Sequence, residues 1–422
     1  MDYSECVRCL YSLGNEVRAA KLRLDGVETL LEAIGSPHRQ GRFVHVAGTN
    51  GKGSTCAMLE SALRASGLRT GLYTSPHLVE PTERIRIDGQ PVSQALFSAA
   101  FGRVHAAAEK LLAAGVLEAH PTYFETVTAM GFLLFRDLGA GVTVLEVGLG
   151  GRLDATNVVL PELAVITPVD YDHEAFLGKS LESIAAEKAG ILKPGVPAVF
   201  APQRGEVARV LDAQAARLNI EVERVQDWEV ADLEIDARGC RFTARSDRAL
   251  QIACPLAGEH QVVNALMAAA ALCRLKVPDA AIERGIAGTR WPGRLELVRR
   301  APDVYLDGAH NPAGARALAA YIRRFHAGRR VTLVYGAMRD KAVEEVAGSL
   351  APVADEIILT APRQARAVRP EAVAALFDHP AIRVAPAPAE ALAMAGKSDK
   401  DGVVFITGSL FLVGEARAIL VQ

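Results

Sequence analysis

The chain has 422 residues, half of them hydrophobic and 23% charged, with a formal net charge of −2. That length predicts two or three domains at roughly 100–200 residues each, and the near-neutral balance excludes a global field for nucleic acid or an acidic membrane surface. No run approaches the roughly 20 apolar residues of a membrane span, and the opening "MDYSECVRCL" lacks the basic region of a signal peptide. Cys6, Cys9, Cys56, Cys240, Cys254 and Cys273 are scattered. Only the first two form a C-x-x-C, so small core residues of a reduced, cytoplasmic protein fit better than a zinc site.

In chain order, the first clear element is the apolar run 42–47, "RFVHVA", followed by "GTNGKGST" and a helix over 53–66. Gly48, Gly51 and Gly53 around Lys52 exceed what a plain turn needs and suit backbone that approaches a ligand closely. A strand, a glycine loop with a lysine, then a helix is the layout of a phosphate cradle. Backbone N–H groups and the helix N-terminus face the anion, and the lysine adds a point charge. The loop is a variant of G-x-x-x-x-G-K-[ST]. Val46 holds the first glycine position, Gly53 follows Lys52, and the hydroxyls of Ser54 and Thr55 arrive late.

Helices are expected over 93–113 and 123–138, then a strand over 142–147 that contains Glu146. A carboxylate inside an apolar strand is costly unless it is paired or binds a cation, and Mg²⁺ near phosphates would suit it; a core salt bridge is the other reading. The "GLGG" that follows fails the dinucleotide fingerprint, because Leu153 stands where a third glycine is required. After a strand at 163–168, Asp170, Asp172 and His173 cluster where open α/β sheets place ligands. A helix over 180–190 carries Lys188, which on residue type alone reads as solvated. A strand at 196–200 and a helix over 204–217 follow, and the alternation in 221–255 predicts hairpins in a small mixed sheet.

A helix over 261–275 precedes "TRWPGRLELVRRAPD", where Pro292, Gly293 and Pro302 mark a boundary. We cut near 296, giving domains 1–296 and 297–422. Beyond it, strands at 303–306, 331–335, 355–359 and 402–407 alternate with helices at 312–325 and 341–350. Such βαβα alternation predicts α/β layers with largely parallel sheets. "DGAHNP" sets Asp307, Gly308, His310 and Asn311 before a helix with Pro312 at its first position. Gly408 and Ser409 likewise follow a strand, so each domain offers polar groups at strand ends. Arg363, Arg366 and Arg369 read as a solvated loop.

The runs "HVAGTNGKGST", "YTSPHLVEPTERIRIDG", "PTYFETVTAMGF", "LEVGLGGRLDATNVV", "DHEAFLGKSLESIAAEKAGI", "GEHQVVNALMA", "WPGRLE", "DGAHNP" and "ITGSLFLVGEAR" together resemble the folylpolyglutamate synthase/dihydrofolate synthase family of ATP-dependent Mur ligases, over essentially the whole chain. The resemblance implies a P-loop-containing Mur ligase central domain with a mainly parallel sheet, plus a smaller C-terminal Rossmann-like α/β domain. It implies ATP held by Gly48, Thr49, Asn50, Gly51, Lys52, Gly53 and Ser54, with Asn264, Arg294, Asp307 and His310 on base, ribose and phosphates. Two Mg²⁺ ions would use Ser54, Ser75, Glu146 and His173, and Lys188 would be carbamylated. Lys52, Lys188, His173 and Glu146 would form the catalytic set. The pterin would sit near Asp25, Gly26, Val27, Thr122, Tyr123, Phe124, Glu125, Leu153, Asp154 and Ala155. "LDATN" resembles bifunctional bacterial members.

The implied activity is ATP-dependent addition of L-glutamate to dihydropteroate and to reduced folates through an acyl phosphate, by a cytoplasmic monomer without nucleic-acid or membrane partners. A P-loop phosphotransferase would use the same Lys52 and Glu146 without needing an amino acid. A nucleotide-controlled interaction protein would need no pterin pocket. A UDP-linked peptidoglycan ligase would be expected to carry a separate domain before the phosphate loop.

Overall fold

Strands buried on both faces are continuous apolar runs rather than alternating ones, and the first such run is β1 (Phe43–Ala47), buried throughout. A computed structural model describes residues 1–14, 24–339, 342–397 and 399–421. The chain divides into two compact units. The first comprises 1–169, 181–227 and 266–286, the second 170–180, 228–265 and 287–422.

In the first unit, β1 is joined by β2 (Thr70–Tyr73), β3 (Ile85–Ile87), β4 (Gln90–Pro91), β5 (Val142–Glu146), β6 (Leu163–Ile166), β7 (Ala198–Phe200) and β8 (Val222–Arg224). The sheet order is β4-β3-β2-β5-β1-β6-β7-β8. From β2 to β8 all neighbours are parallel; β3 and β4 are antiparallel additions at one edge. With β5 and β6 flanking β1, three adjacent carboxyl ends bring Gly48, Glu146 and Thr167 to one side of the sheet, where α/β folds bind ligands. The helix Lys52–Ala65 is buried on every side from Gly53 to Leu63, the polar Ser54, Thr55, Glu60 and Ser61 included. A core of Val27, Leu30, Phe97, Phe101, Phe124, Phe132 and their neighbours forms around the helix Tyr123–Asp137.

The second unit holds an antiparallel sheet of β9 (Glu229–Asp236), β10 (Gly239–Arg245) and β11 (Ala249–Cys254), in the order β11-β10-β9. The segment 221–255 therefore departs from expectation: its sheet is wholly antiparallel, and Val222–Arg224 leaves it to pair with β7 as β8. The physical reason is the helix Gly205–Leu218, which returns the chain parallel to β7 as a crossover requires. A further sheet runs β12 (Glu296–Arg299), β13 (Asp303–Leu306), β17 (Val403–Thr407), β14 (Val331–Tyr335), β15 (Glu356–Leu359) and β16 (Ile382–Val384). It is parallel except for β12.

The helix Pro312–Phe325 buries Ala315, Leu318, Ala319 and Ile322 at helical spacing, an amphipathic stripe that covers the sheet. Tyr305 and Phe405 stack beneath it with ring centroids 5.1 Å apart. The helix expected over 341–350 is observed as Val343–Leu350; Lys341 lies outside the described residues.

Candidate active site

The phosphate-type loop leaves β1 at Gly48, whose φ of +148° is unfavourable for a side chain and whose added Cβ would lie 1.9 Å from Thr167 Oγ1. Thr49 and Asn50 donate their backbone N–H groups to the Pro168 carbonyl at 3.0 and 3.2 Å. These bonds fasten the loop to the segment after β6. Gly51, at φ +87°, starts the helix Lys52–Ala65 without a side-chain cap. An uncapped helix N-terminus of this kind suits an anion.

Two cations converge on this turn. Lys52 Nζ donates to the Gly48 and Thr49 carbonyls at 3.1 and 3.3 Å. Lys188, from the helix Leu181–Ala189, donates Nζ–H to the same Gly48 carbonyl at 2.9 Å. Lys188 is only 4% exposed, so the solvated reading of this residue is corrected: its helix buries Leu181, Ile184, Ala185 and Ala189, packs against the helix Gly205–Leu218 and delivers the ammonium to the loop.

Glu146 ends β5 opposite Val46 and is buried; its Oε2 accepts the backbone N–H of Ser75 at 3.1 Å. Cys56, one turn into the helix, is fully buried. Burial first, and Glu146 second, raise its thiol pKa well above the ordinary range, while Lys52 opposes them. Carboxylate and ammonium thus share the surroundings of one thiol. Ser54 is buried close by in sequence, and Thr55 Oγ1 is buried without a hydrogen-bond partner. The Glu146 carboxylate with the Ser54 and Ser75 hydroxyls is an all-oxygen donor set, which fits Mg²⁺.

The pterin candidates meet in the same unit. Val27, Tyr123, Phe124 and Ala155 belong to one buried cluster. Thr122 and Glu125 form a capping box on the helix Tyr123–Asp137, with Thr122 N and Oγ1 both donating to Glu125 Oε2 at 2.8 Å. Tyr123 stacks on Tyr11 at 5.5 Å with the Arg84 guanidinium 5.0 Å from its ring, and its hydroxyl is buried without a partner. Asp154 Oδ2 accepts the N–H groups of Gly148 and Leu149 at 3.0 and 2.9 Å, and Oδ1 accepts Thr156 N at 3.0 Å. Burial raises its pKa and these bonds oppose the rise. Leu153 is half-buried beside it. Asp25 is exposed at the start of the helix Asp25–Ala33, next to the half-buried Gly26.

In the second unit, Asp172 gathers the other polar candidates. Its Oδ2 lies 3.5 Å from His310 Nε2 and 3.9 Å from His173 Nε2, and it accepts Asn311 Nδ2–H at 3.3 Å. His173 has φ +52° and its N–H donates to Asp172 Oδ1. Asp307 is held by backbone: Oδ2 accepts Leu295 N and Oδ1 accepts Ala309 N, both at 3.0 Å. His310 Nδ1 is 2.7 Å from the Gly308 carbonyl. A Cβ on Gly308 would meet Arg294 Nη1 at 2.1 Å, so the glycine keeps that guanidinium in place. Buried Asn264 donates to Gln261 at 2.9 Å. Arg363 and Arg369 are exposed in a loop.

Sequence reasoning missed His45, Thr167 and Gln203. His45, fully buried in β1, meets Thr156 Oγ1 at 2.8 Å, and Gln203 braces the segment after β6 through Thr167 O and Val169 N. An imidazole within a strand was the one available signal; the other two are ordinary polar residues whose roles exist only in three dimensions.

The Mur ligase middle domain matches residues 46–272, and the Mur ligase glutamate ligase domain matches 293–410. Folylpolyglutamate synthase of Lacticaseibacillus casei is 34% identical over the full chain and 99% of its own length. A Haloferax volcanii protein described as a bifunctional folylpolyglutamate synthase/dihydropteroate synthase is 37% identical over 99% of this chain, which spans half of that longer protein. The E. coli FolC structure in complex with DHPP and ADP superposes with a TM-score of 0.87 at 31% identity, covering 98% of this chain and 97% of that one. These domains define a Mur ligase. Within that class, the chain belongs to the folylpolyglutamate synthase/dihydrofolate synthase family.

Proposed function

We propose that this chain is an ATP-dependent amide ligase that adds L-glutamate to dihydropteroate and to reduced folates by way of an acyl phosphate. One observation carries the reading: Lys52 donates to the Gly48 and Thr49 carbonyls at the mouth of a helix with no side-chain cap, the kind of start that receives a polyanion. Phosphoryl transfer to a carboxylate brings two anions together, so the rate depends on positioning and on fixed positive charge. In the first unit, residues 48–54 would cradle the phosphates and Lys52 would meet the transferring oxygens. In the second, we assign Asn264, Arg294, Asp307 and His310 to the nucleotide, with Asp172 orienting His310 and His173.

Mg²⁺ held by Ser54, Ser75 and Glu146 would neutralise phosphate oxygens; a second ion is part of the same proposal, with His173 among its ligands. Lys188 would be carbamylated in the active enzyme, turning the buried ammonium into an anion; intact-protein mass with and without bicarbonate checks it. The buried aromatic cluster of Tyr123 and Phe124, beside the Gly148–Ala155 loop, supports a flat ring substrate in the first unit. No helix among the described residues is long and apolar enough to cross a membrane, and we take the enzyme as a cytoplasmic monomer acting on small molecules.

The deciding assay is ADP release with ATP·Mg²⁺, adding dihydropteroate or tetrahydrofolate and L-glutamate singly and together. Ligation requires pterin substrate and amino acid together. Full ADP release without glutamate would point to a phosphotransferase instead.

A further inference from the structure

The helix Gln94–Ala113 presents His105 and Glu109 one turn apart on the same face, and the following segment returns His120 to them. His120 Nε2 lies 3.2 Å from His105 Nδ1 and 3.5 Å from Glu109 Oε1. One donor atom from each residue falls within 4.8 Å of the other two. Tetrahedral zinc with ligands at about 2.0–2.2 Å separates neighbouring donor atoms by roughly 3.3 Å, and the two shortest separations bracket that value.

The rings are also oriented. His120 Nδ1 is 3.0 Å from the Pro121 carbonyl, and only an N–H makes a favourable contact with a carbonyl oxygen. The proton therefore sits on Nδ1 and the Nε2 lone pair faces His105 and Glu109. A backbone carbonyl on the far nitrogen is the usual support of a metal-bound imidazole. His105 stacks flat on Phe101, with centroids 5.2 Å apart and planes 11° apart, which fixes the second ring. None of the three residues belongs to the nucleotide or pterin groups described above.

We propose that His105, Glu109 and His120 form a site for Zn²⁺ or a similar borderline transition-metal ion, with one coordination position left to solvent. Two imidazoles and one carboxylate suit such ions and disfavour Mg²⁺ and Ca²⁺, which take oxygen. Without the ion, His105 Nδ1–H donates to His120 Nε2. On binding, that proton moves to His105 Nε2 and both facing nitrogens turn lone pairs to the metal. The ion would fasten the connection 114–122 to the helix and set the entry to the helix Tyr123–Asp137.

The test is titration of metal-free full-length protein with Co²⁺ and Zn²⁺. We expect visible Co²⁺ bands without a thiolate charge-transfer band, displacement by Zn²⁺, and no competition from millimolar-range Mg²⁺. His105→Gln and His120→Gln should each weaken binding at least about tenfold, while glutamate-dependent ADP release and the far-UV spectrum stay unchanged. A thiolate band, binding undiminished in both variants, or no binding at all would overturn the site.

Discussion

The two strand-to-helix turns, Gly48–Lys52 in the first unit and Asp307–Pro312 in the second, share a layout and differ in how their polar groups are satisfied. The first is open. Gly51 supplies no side-chain cap, and Lys52 and Lys188 both donate to the Gly48 carbonyl. The second is closed upon itself. Asn311 Oδ1 accepts Gly314 N at 2.8 Å, Asp307 accepts two backbone N–H groups, and Gly408 N donates to the Ala309 carbonyl at 2.9 Å. An uncapped helix start directs the positive end of its dipole at a polyanion. A closed one is a rigid mount, and what it displays is His310. Similar wording in sequence thus produces an uncapped turn beside two lysines in one place and a self-capped turn in the other.

This contrast can be broken at either turn. Lys52→Ala should lower glutamate-dependent ADP release by about 10³-fold, the scale of losing a preorganised charge at a reacting anion, with the melting temperature little changed; retained turnover would remove the open turn from the chemistry. Gly48→Ala, which forces a Cβ against Thr167 in an unfavourable backbone region, should destabilise the first unit by about 3 kcal/mol in urea unfolding. A neutral result would mean that the loop is not rigidly tied to the segment after β6.

His45 sharpens the same comparison, because it lies in the strand that launches the open turn. Burial first and Lys193 second lower its pKa to about 3. An unfolded histidine gains its proton near pH 6.5. Between about 6.5 and 3 the unfolded chain therefore binds more protons, and stability falls as pH falls through that window. From pH 7 to pH 5 this one group should cost about 2 kcal/mol, and His45→Gln should show a correspondingly shallower decline. Equal slopes would refute the assignment. The smallest effect belongs to the closed turn: Asn311→Ala removes a helix cap and should cost about 1 kcal/mol, read as a lower melting temperature. An unchanged melting temperature would show that the cap is dispensable.

The elements legible in the residues were those whose chemistry is local. The apolar runs of β1, β5, β6, β14 and β17, the glycines around Lys52 and the Pro312 helix start lie where reading predicted, within a few residues. β2 escaped because "TGLY" is short and carries Gly71, a poor strand former. Its glycine makes sense only against Thr143, whose Oγ1 would lie 2.6 Å from an added Cβ. The capping box of Thr122 and Glu125 is legible in the letters as a helix start, whereas a pterin role for those residues comes from the resemblance alone.

Order of residues was enough for the glycine loop around Lys52 and for a carboxylate stranded in an apolar run, since backbone freedom and desolvation act on neighbours in the chain. Packing alone decided that Lys188, 140 residues from Gly48, would share its carbonyl with Lys52. Packing likewise assembled a second unit from three separate stretches of chain, with Asp172 beside His310. Such pairings arise from sheet order and helix docking, which bring distant residues together through burial of surfaces that no short stretch of letters contains.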